Sequence, residues 1–489
     1  MTLDSKWISV NINELFDFKY GKALTKENRN ELGLVDVYGS NGVVGKHDTA
    51  LTAGPTIIIG RKGSVGEINF SHKPCYPIDT TYFIDEFWGD VPPKYWVFYL
   101  KSLEIGNHDK SSAVPGISRQ DIYKVNIPLP PLNEQRRIVA KLEKLLAKVD
   151  ACKQRLEKIP TILARFRQSV LAAACSGRLT ADWREQNPDV EAALKSELFV
   201  FPGSEGLAEL PELWYYTYIT PLLSRTRPGL KTGPFGTMLK KHEHQTEGVP
   251  VLGIENISAL KFNSRSKIHI TSEKAKELSA YSCEHGDVLI SRSGTVGEVC
   301  VVPEGLGKTI ISTNLIRVAL DVDKVIPFFF CMLFNGSQLV LDQVSDLCKG
   351  STRDFLNQKI LSSIIFPLPP LAEQQEIVRR VEALFQKADR IQQRYEKAKA
   401  HIDQLTHSIL AKAFRGELVP QDPNDEPASV LLDRIREERA NQPQAKTAKK
   451  PTEKTPKATE KRGRKKAQPP EPPESDNSEP IQLKLPGIE

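Results

Sequence analysis

Two stretches of the chain carry apolar or small residues at spacings that alternate four and three without a break. The first runs through Ile138, Leu142, Leu145, Val149, Cys152, Leu156, Ile159, Leu163, Phe166 and Val170. The second runs through Ile377, Val381, Leu384, Ala388, Ile391, Tyr395, Ala398, Ile402, Leu405 and Ile409. A 3.5-residue period held over more than four heptads is the seam of a helix that packs along another helix. Gly177 and Gly416 stand where a C-terminal cap belongs. Pro160 predicts a kink in the first stretch, or the start of a second helix there. A stripe this narrow is costly to leave in water, and two in one chain predict that they pair with each other rather than each with a partner protein. Two equivalent units around an approximate two-fold axis then require antiparallel helices.

The two stretches are copies. IPLPPLNEQRRIVAKLEKLLAKVD from Ile127 returns as FPLPPLAEQQEIVRRVEALFQKAD from Phe366, and the match runs on ungapped to Leu179 and Leu418. Of 53 aligned positions 23 are identical, far beyond chance. PLPPL holds a PxxP, but directly before a helix it is better read as a stiff strut that sets the angle between domain and helix. Upstream, IIIGRKGSVGEINF (Ile57 to Phe70) parallels VLISRSGTVGEVCV (Val288 to Val301), and each half opens on a tryptophan, Trp7 and Trp214. The predicted order is domain 1–127, shared helix 128–182, linker 183–212, domain 213–365, shared helix 366–440 and tail 441–489. The fold class is α+β: two α/β domains separated by a pair of long antiparallel coiled-coil helices.

The variable domains supply the candidate binding residues. GRKGSVGE and SRSGTVGE each follow a β-rich run, and their glycines let a backbone approach another molecule closely. Arg61, Lys62 and Ser64, with Arg292, Ser293 and Thr295, are the types that contact phosphates and base edges. These arginines are expected on an exposed hairpin; the alternative is a tight turn whose Arg pairs with an acid. GISR offers Ser118 and Arg119, and GSTR offers Ser351, Thr352 and Arg353. Tyr38 and Asn41 in YGSNG, and Lys231 and Thr232 in KTGPFG, belong to one half each, as suits domains that read different sequences; ordinary turns are the plainer reading.

Composition narrows the function more by exclusion. The net charge of +6 over 489 residues sits largely in the tail, where Lys446 to Lys466 holds ten Lys/Arg against two Glu, so the folded part is close to neutral and any basic face is local. The tail is rich in Pro, Lys, Glu and Thr and is expected to be disordered. Its KRGRKK could track phosphates or simply keep the chain soluble. Seven scattered cysteines without a CxxC pattern predict reduced thiols in a cytoplasmic protein. No membrane span or secretory signal is written. His242 and His244 lack neighbours that would complete a metal site, so no metal is expected. Gly307-Lys308-Thr309 ends like a phosphate-binding loop, but Val302 stands where its glycine belongs. No nucleophile, nuclease or amino-methyltransferase motif is present, so no catalytic residue is assigned.

With PLPPLxEQ and its heptad helix in two copies, SVLAAACSGRLTADWREQNPD after the first helix and SILAKAFRGELVPQDP after the second, the chain resembles the specificity subunits of type I restriction-modification systems. The resemblance covers about residues 1–440. It implies two target recognition domains that read the halves of a bipartite double-stranded DNA site. It also implies two methyltransferase subunits that use S-adenosylmethionine for adenine N6 methylation, and restriction/translocase subunits that use ATP and Mg, with no cofactor in this chain. The competing class is a stand-alone methyltransferase or nuclease with an unfamiliar site, and a further alternative is a DNA-binding or coiled-coil adaptor of another methyltransferase-linked defence complex.

Overall fold

The computed structural model describes residues 6–103, 118–123, 125–190, 207–235, 237–258, 260–349 and 355–441. Ser351, Thr352, Arg353, the first half of the GISR loop and the basic tail lie outside these.

Each half closes on itself through its first and last strands. Ile8–Asn11 pairs antiparallel with Asn126–Leu129, and Tyr215–Thr217 with Phe366–Leu368. Between them both halves repeat one topology, to which the second adds a hairpin of Ile257–Ser258 with Lys261–Phe262. A four-stranded antiparallel sheet runs in the order Lys19–Tyr20, Thr81–Ile84, Thr56–Gly60, Ile68–Ser71 in the first half. In the second it runs Leu230–Thr232, Leu315–Val318, Val288–Ser291, Val299–Val301. A three-stranded sheet lies beside each. Its central strand, Val35–Gly39 or Val249–Leu252, has one antiparallel and one parallel neighbour. The uninterrupted apolar runs TIIIG and VLIS are buried along their whole length because these strands have both faces covered. One helix per half, Pro93–Ser102 or Pro327–Gly336, opens on proline, whose missing N–H is free at that position.

The first heptad stretch forms two helices, Leu132–Leu156 and Ile159–Cys175, because Pro160 sits in the first turn of the second. The other copy has Lys399 at that point and runs as one helix, Leu371–Phe414. Gly177 and Gly416 take φ of 73° and 79°, the left-handed cap that glycine reaches without strain. Lys153 pairs with Asp403 at 3.0 Å and Arg167 with Asp389 at 2.8 Å, so one helix rises as the other falls.

The domain cores bear this out. The first takes Ile138, Leu142 and Val149 from the start of one helix and Ile409, Leu410 and Phe414 from the end of the other. The second takes Val170, Leu171 and Cys175 with Ile377 and Val381. Seam positions next to a domain are therefore buried, whereas Leu145, Leu156, Leu384 and Ile402 are half-buried. Mid-rod, Ile391 and Leu405 stay 46% and 47% exposed and Phe166 is exposed too. Periodicity alone predicts uniform burial; two helices without a third element cover each other on one side only.

The PLPPLxEQ motif is a joint. Gln135 Nε2 donates to the Pro130 carbonyl at 2.9 Å, and Gln374 Nε2 to that of Pro369 at 3.0 Å. The buried glutamates accept from the opening tryptophans: Trp7 Nε1 to Glu134 Oε2 at 2.9 Å, Trp214 Nε1 to Glu373 Oε2 at 2.8 Å. Thr180 and Arg184 also bond Glu373. Each helix start is thereby tied to the first strand of its domain.

Past Gly416 the chain returns to the first domain, where the shared helix expected to reach residue 440 gives way to a separate one, Ala428–Ala440, that buries Leu431, Leu432 and Ile435. Arg436 pairs with Glu14 and Arg439 with Asp17, while Arg137 holds the buried Asp425.

Candidate nucleic-acid interface

The two Arg-led turns are the same structure. Gly60 N–H donates to the Glu67 carbonyl at 2.8 Å and Gly66 N–H back to Gly60 at 2.9 Å. The Ser291–Glu298 and Gly297–Ser291 bonds repeat this at 2.8 and 3.0 Å. Gly63, Gly66, Gly294 and Gly297 all have φ between 77° and 84°, which forces glycine at these four places.

The loops peculiar to one half converge on these turns. The Thr80 carbonyl accepts from Arg61 N–H at 2.9 Å, Lys62 N–H at 3.2 Å and Ser40 Oγ at 2.7 Å, so the turn carrying Tyr38 and Asn41 sits beside the Arg61 turn. Asn41 is exposed and Tyr38 half-buried. In the second half, Thr313 Oγ1 donates to the Pro234 carbonyl at 2.5 Å and Arg292 N–H to the Asn314 carbonyl at 3.0 Å. This brings Lys231 and Thr232 next to the Arg292 turn. Lys231 Nζ lies 4.7 Å from the Tyr281 ring centre.

In the first half the guanidinium carbons of Arg61 and Arg119 lie 5.4 and 5.3 Å from the ring centre of Tyr20, which is 50% exposed. Arg61 also approaches Tyr82, Arg119 approaches Tyr123, and Tyr20 meets Tyr82 edge-on at 5.0 Å. Burial and the neighbouring Tyr20 hold the Tyr82 hydroxyl above its ordinary pKa. Among the described residues, Arg61 and Arg119 donate side-chain hydrogen bonds to backbone carbonyls alone, those of Asp79 and Phe18. Stacking fixes them without neutralising them. Lys62, Ser64 and Ser118 are exposed around this cluster.

Arg292 departs from expectation. It is 8% exposed, its guanidinium carbon lies 4.1 Å from the Phe355 ring centre, and Nη1 donates to the Thr313 carbonyl at 3.3 Å. Desolvation lowers its pKa. The expected exposed hairpin arginine is instead packed under the chain that follows residue 354, because Phe355 closes over it. Ser293 Oγ donates to Asn314 Oδ1 at 3.0 Å, and Thr295 is exposed at the tip. Tyr20, Tyr82, Phe355 and Gln358 carry no motif, and alternation with the buried Phe16 and Phe18 would have placed the exposed Tyr20 in the core.

All seven cysteines are unpaired, six buried and Cys152 exposed. Among the described residues no group of three or more His, Cys, Asp or Glu is disposed to hold a metal, and no helix is long and apolar enough to cross a membrane.

A duplicated α/β domain at each end of a helical rod, with aromatic-stacked arginines at a glycine turn, defines a binding protein built to present two related surfaces. The model of the type I restriction modification DNA specificity domain matches residues 4–161 and 235–400. The EcoKI type I restriction enzyme specificity subunit of Escherichia coli strain K12 is 33% identical over 406 residues, covering 78% of this chain and 79% of that one. The HsdS subunit of Thermoanaerobacter tengcongensis shares the fold at TM-score 0.50 and 19% identity, over 85% of this chain and 98% of that one. A chain from a solved type I R-M system does so at TM-score 0.58 and 17% identity, over 85% and 100%. The chain belongs to the type I restriction enzyme specificity subunit family, whose members are DNA-recognition rather than catalytic subunits.

Proposed function

We propose that each domain reads one half of a bipartite duplex DNA site through the surface around its glycine turn, and that the antiparallel helices, paired as a coiled coil about a pseudo-two-fold axis, set the distance between the halves. The observation that carries this reading is the repeat of the four- and three-stranded sheets at opposite ends of the rod, with the Arg61 and Arg292 turns at matching places. Two equivalent readers on a fixed spacer recognise two half-sites separated by unread base pairs.

The exposed apolar stripe of Phe166, Ile391 and Leu405 fits helices of two methyltransferase subunits, one per pseudo-symmetric side. Those subunits supply S-adenosylmethionine chemistry at adenine N6. Restriction/translocase subunits, with ATP and Mg, complete the enzyme in the cytoplasm. Exchanging residues 213–365 for the equivalent domain of a relative tests the reading. The assembled methyltransferase complex should then methylate sites changed in one half only. A methylome in which both halves change, or neither, refutes it.

A further inference from the structure

Sheet register, the matched turns and the short helix before each closing strand bring three side chains together in each half. In the first half Ile59 pairs with Tyr82 and Tyr82 with Tyr20; in the second, Ile290 pairs with Ile316 and Ile316 with Thr232. Tyr20 and Thr232 therefore occupy one position, and Arg61 and Arg292, two residues beyond Ile59 and Ile290, occupy another. The third position opens the short helix before the closing strand: Arg119 in Arg119–Ile122 and Gln358 in Gln358–Ser363. The counterpart of Arg119 is thus Gln358, not the arginine of the similar-looking GSTR loop.

The side chains confirm the correspondence by touching. Arg119 stacks on Tyr20, and Gln358 Nε2 donates to Thr232 Oγ1 at 2.9 Å. In Arg61 and Arg292 alike, the enclosed Nε has no acceptor.

Resting on the DNA-reading function above, we infer that this three-residue position is a base-reading point in each domain, set for guanine in the first and adenine in the second. In the first domain, two guanidiniums held on Tyr20 offer only donors, which match guanine O6 and N7. In the second, the burial of Arg292 under Phe355 leaves Gln358 as the reader. Thr232 takes one Nε2–H of Gln358, leaving the other to donate to adenine N7 and Oε1 to accept from N6. The Thr232 bond fixes the amide plane, as the Tyr20 ring fixes the arginines.

The test uses the full chain assembled with its methyltransferase subunits, measuring binding to its methylome-defined site and to every single-base-pair variant. Gln358→Ala should lower discrimination by about ten- to hundredfold at one A·T pair in the half-site read by the second domain. Arg119→Ala should do the same at one G·C pair in the other half-site. The double change Thr232→Tyr with Gln358→Arg should shift preference in the second half-site from A·T toward G·C. Unchanged thermal midpoints distinguish reading from folding. If Gln358→Ala weakens all duplexes equally, or alters a G·C position or the first domain's half-site, the assignment is wrong. If the unaltered complex binds random duplex as tightly as its site, the parent reading fails instead.

Discussion

Shortening the rod tests whether it measures DNA, and the structure dictates where to cut. Periodicity alone permits removing Leu142–Lys148 with Val381–Lys387. Leu142 and Val381, however, lie in the cores of opposite domains, so that cut would damage both and slide the helices past each other. The pairs Lys153–Asp403 and Arg167–Asp389 give the antiparallel register, which sets Asp150–Leu156 level with Ala400–Thr406. Deleting these two heptads together removes both partners of the Lys153–Asp403 pair and leaves Ile138, Leu142, Val149 and Ile409 in place. Seven residues at 1.5 Å rise shorten the rod by about 10.5 Å, the length of about three base pairs. Three base pairs also turn one half-site by about 100° around the duplex. The methylome of the assembled complex should show a spacer shortened by about three pairs, or no methylation where the rotation cannot be absorbed. A folded variant that methylates the original spacer at the original rate would refute the rod as a ruler.

Other perturbations separate packing from binding. Arg292→Ala should lower stability by about 1–2 kcal/mol, because it removes the stack on Phe355 and the bond to the Thr313 carbonyl; calorimetry reads this, and an unchanged midpoint refutes it. Lys62→Ala, at an exposed site, should leave the midpoint alone, weaken DNA binding evenly across sequences and reduce the salt slope by about one. Trp214→Phe withdraws one donor from the buried Glu373 and should cost about 1–3 kcal/mol in urea unfolding. The hydrogen bond from Arg137 holds the Asp425 carboxyl below its ordinary pKa. Its contribution is therefore complete above the unfolded value of about 3.9 and is lost as pH falls through the lowered one. Exchange protection in Ala428–Ala440, corrected for the intrinsic rate, should fall below about pH 4, and Arg137→Ala should weaken that pH dependence; protection unaffected by Arg137→Ala would sink the idea.

What the sequence determined is local or repeated. A strict 3.5-residue spacing can be satisfied only by helices in side-by-side contact, so Ile138 to Val170 and Ile377 to Ile409 declared the rod. Pro160 and the two capping glycines marked its breaks because their effects act within one turn. The matched GRKGSVGE and SRSGTVGE segments located the turns, since positive φ at four places leaves no other residue choice. The tertiary structure decided everything that depends on residues distant in the chain. Only tertiary contact showed that Arg119 and Gln358 fill one place, because Tyr20 and Thr232, which they touch, lie far from them in the sequence. Only packing showed Arg292 to be buried, since Phe355, which covers it, is 63 positions away in the sequence. The same holds for the exposed Ile391 and Leu405: a seam pattern records what a helix presents, while the number of elements packed around it fixes what is covered.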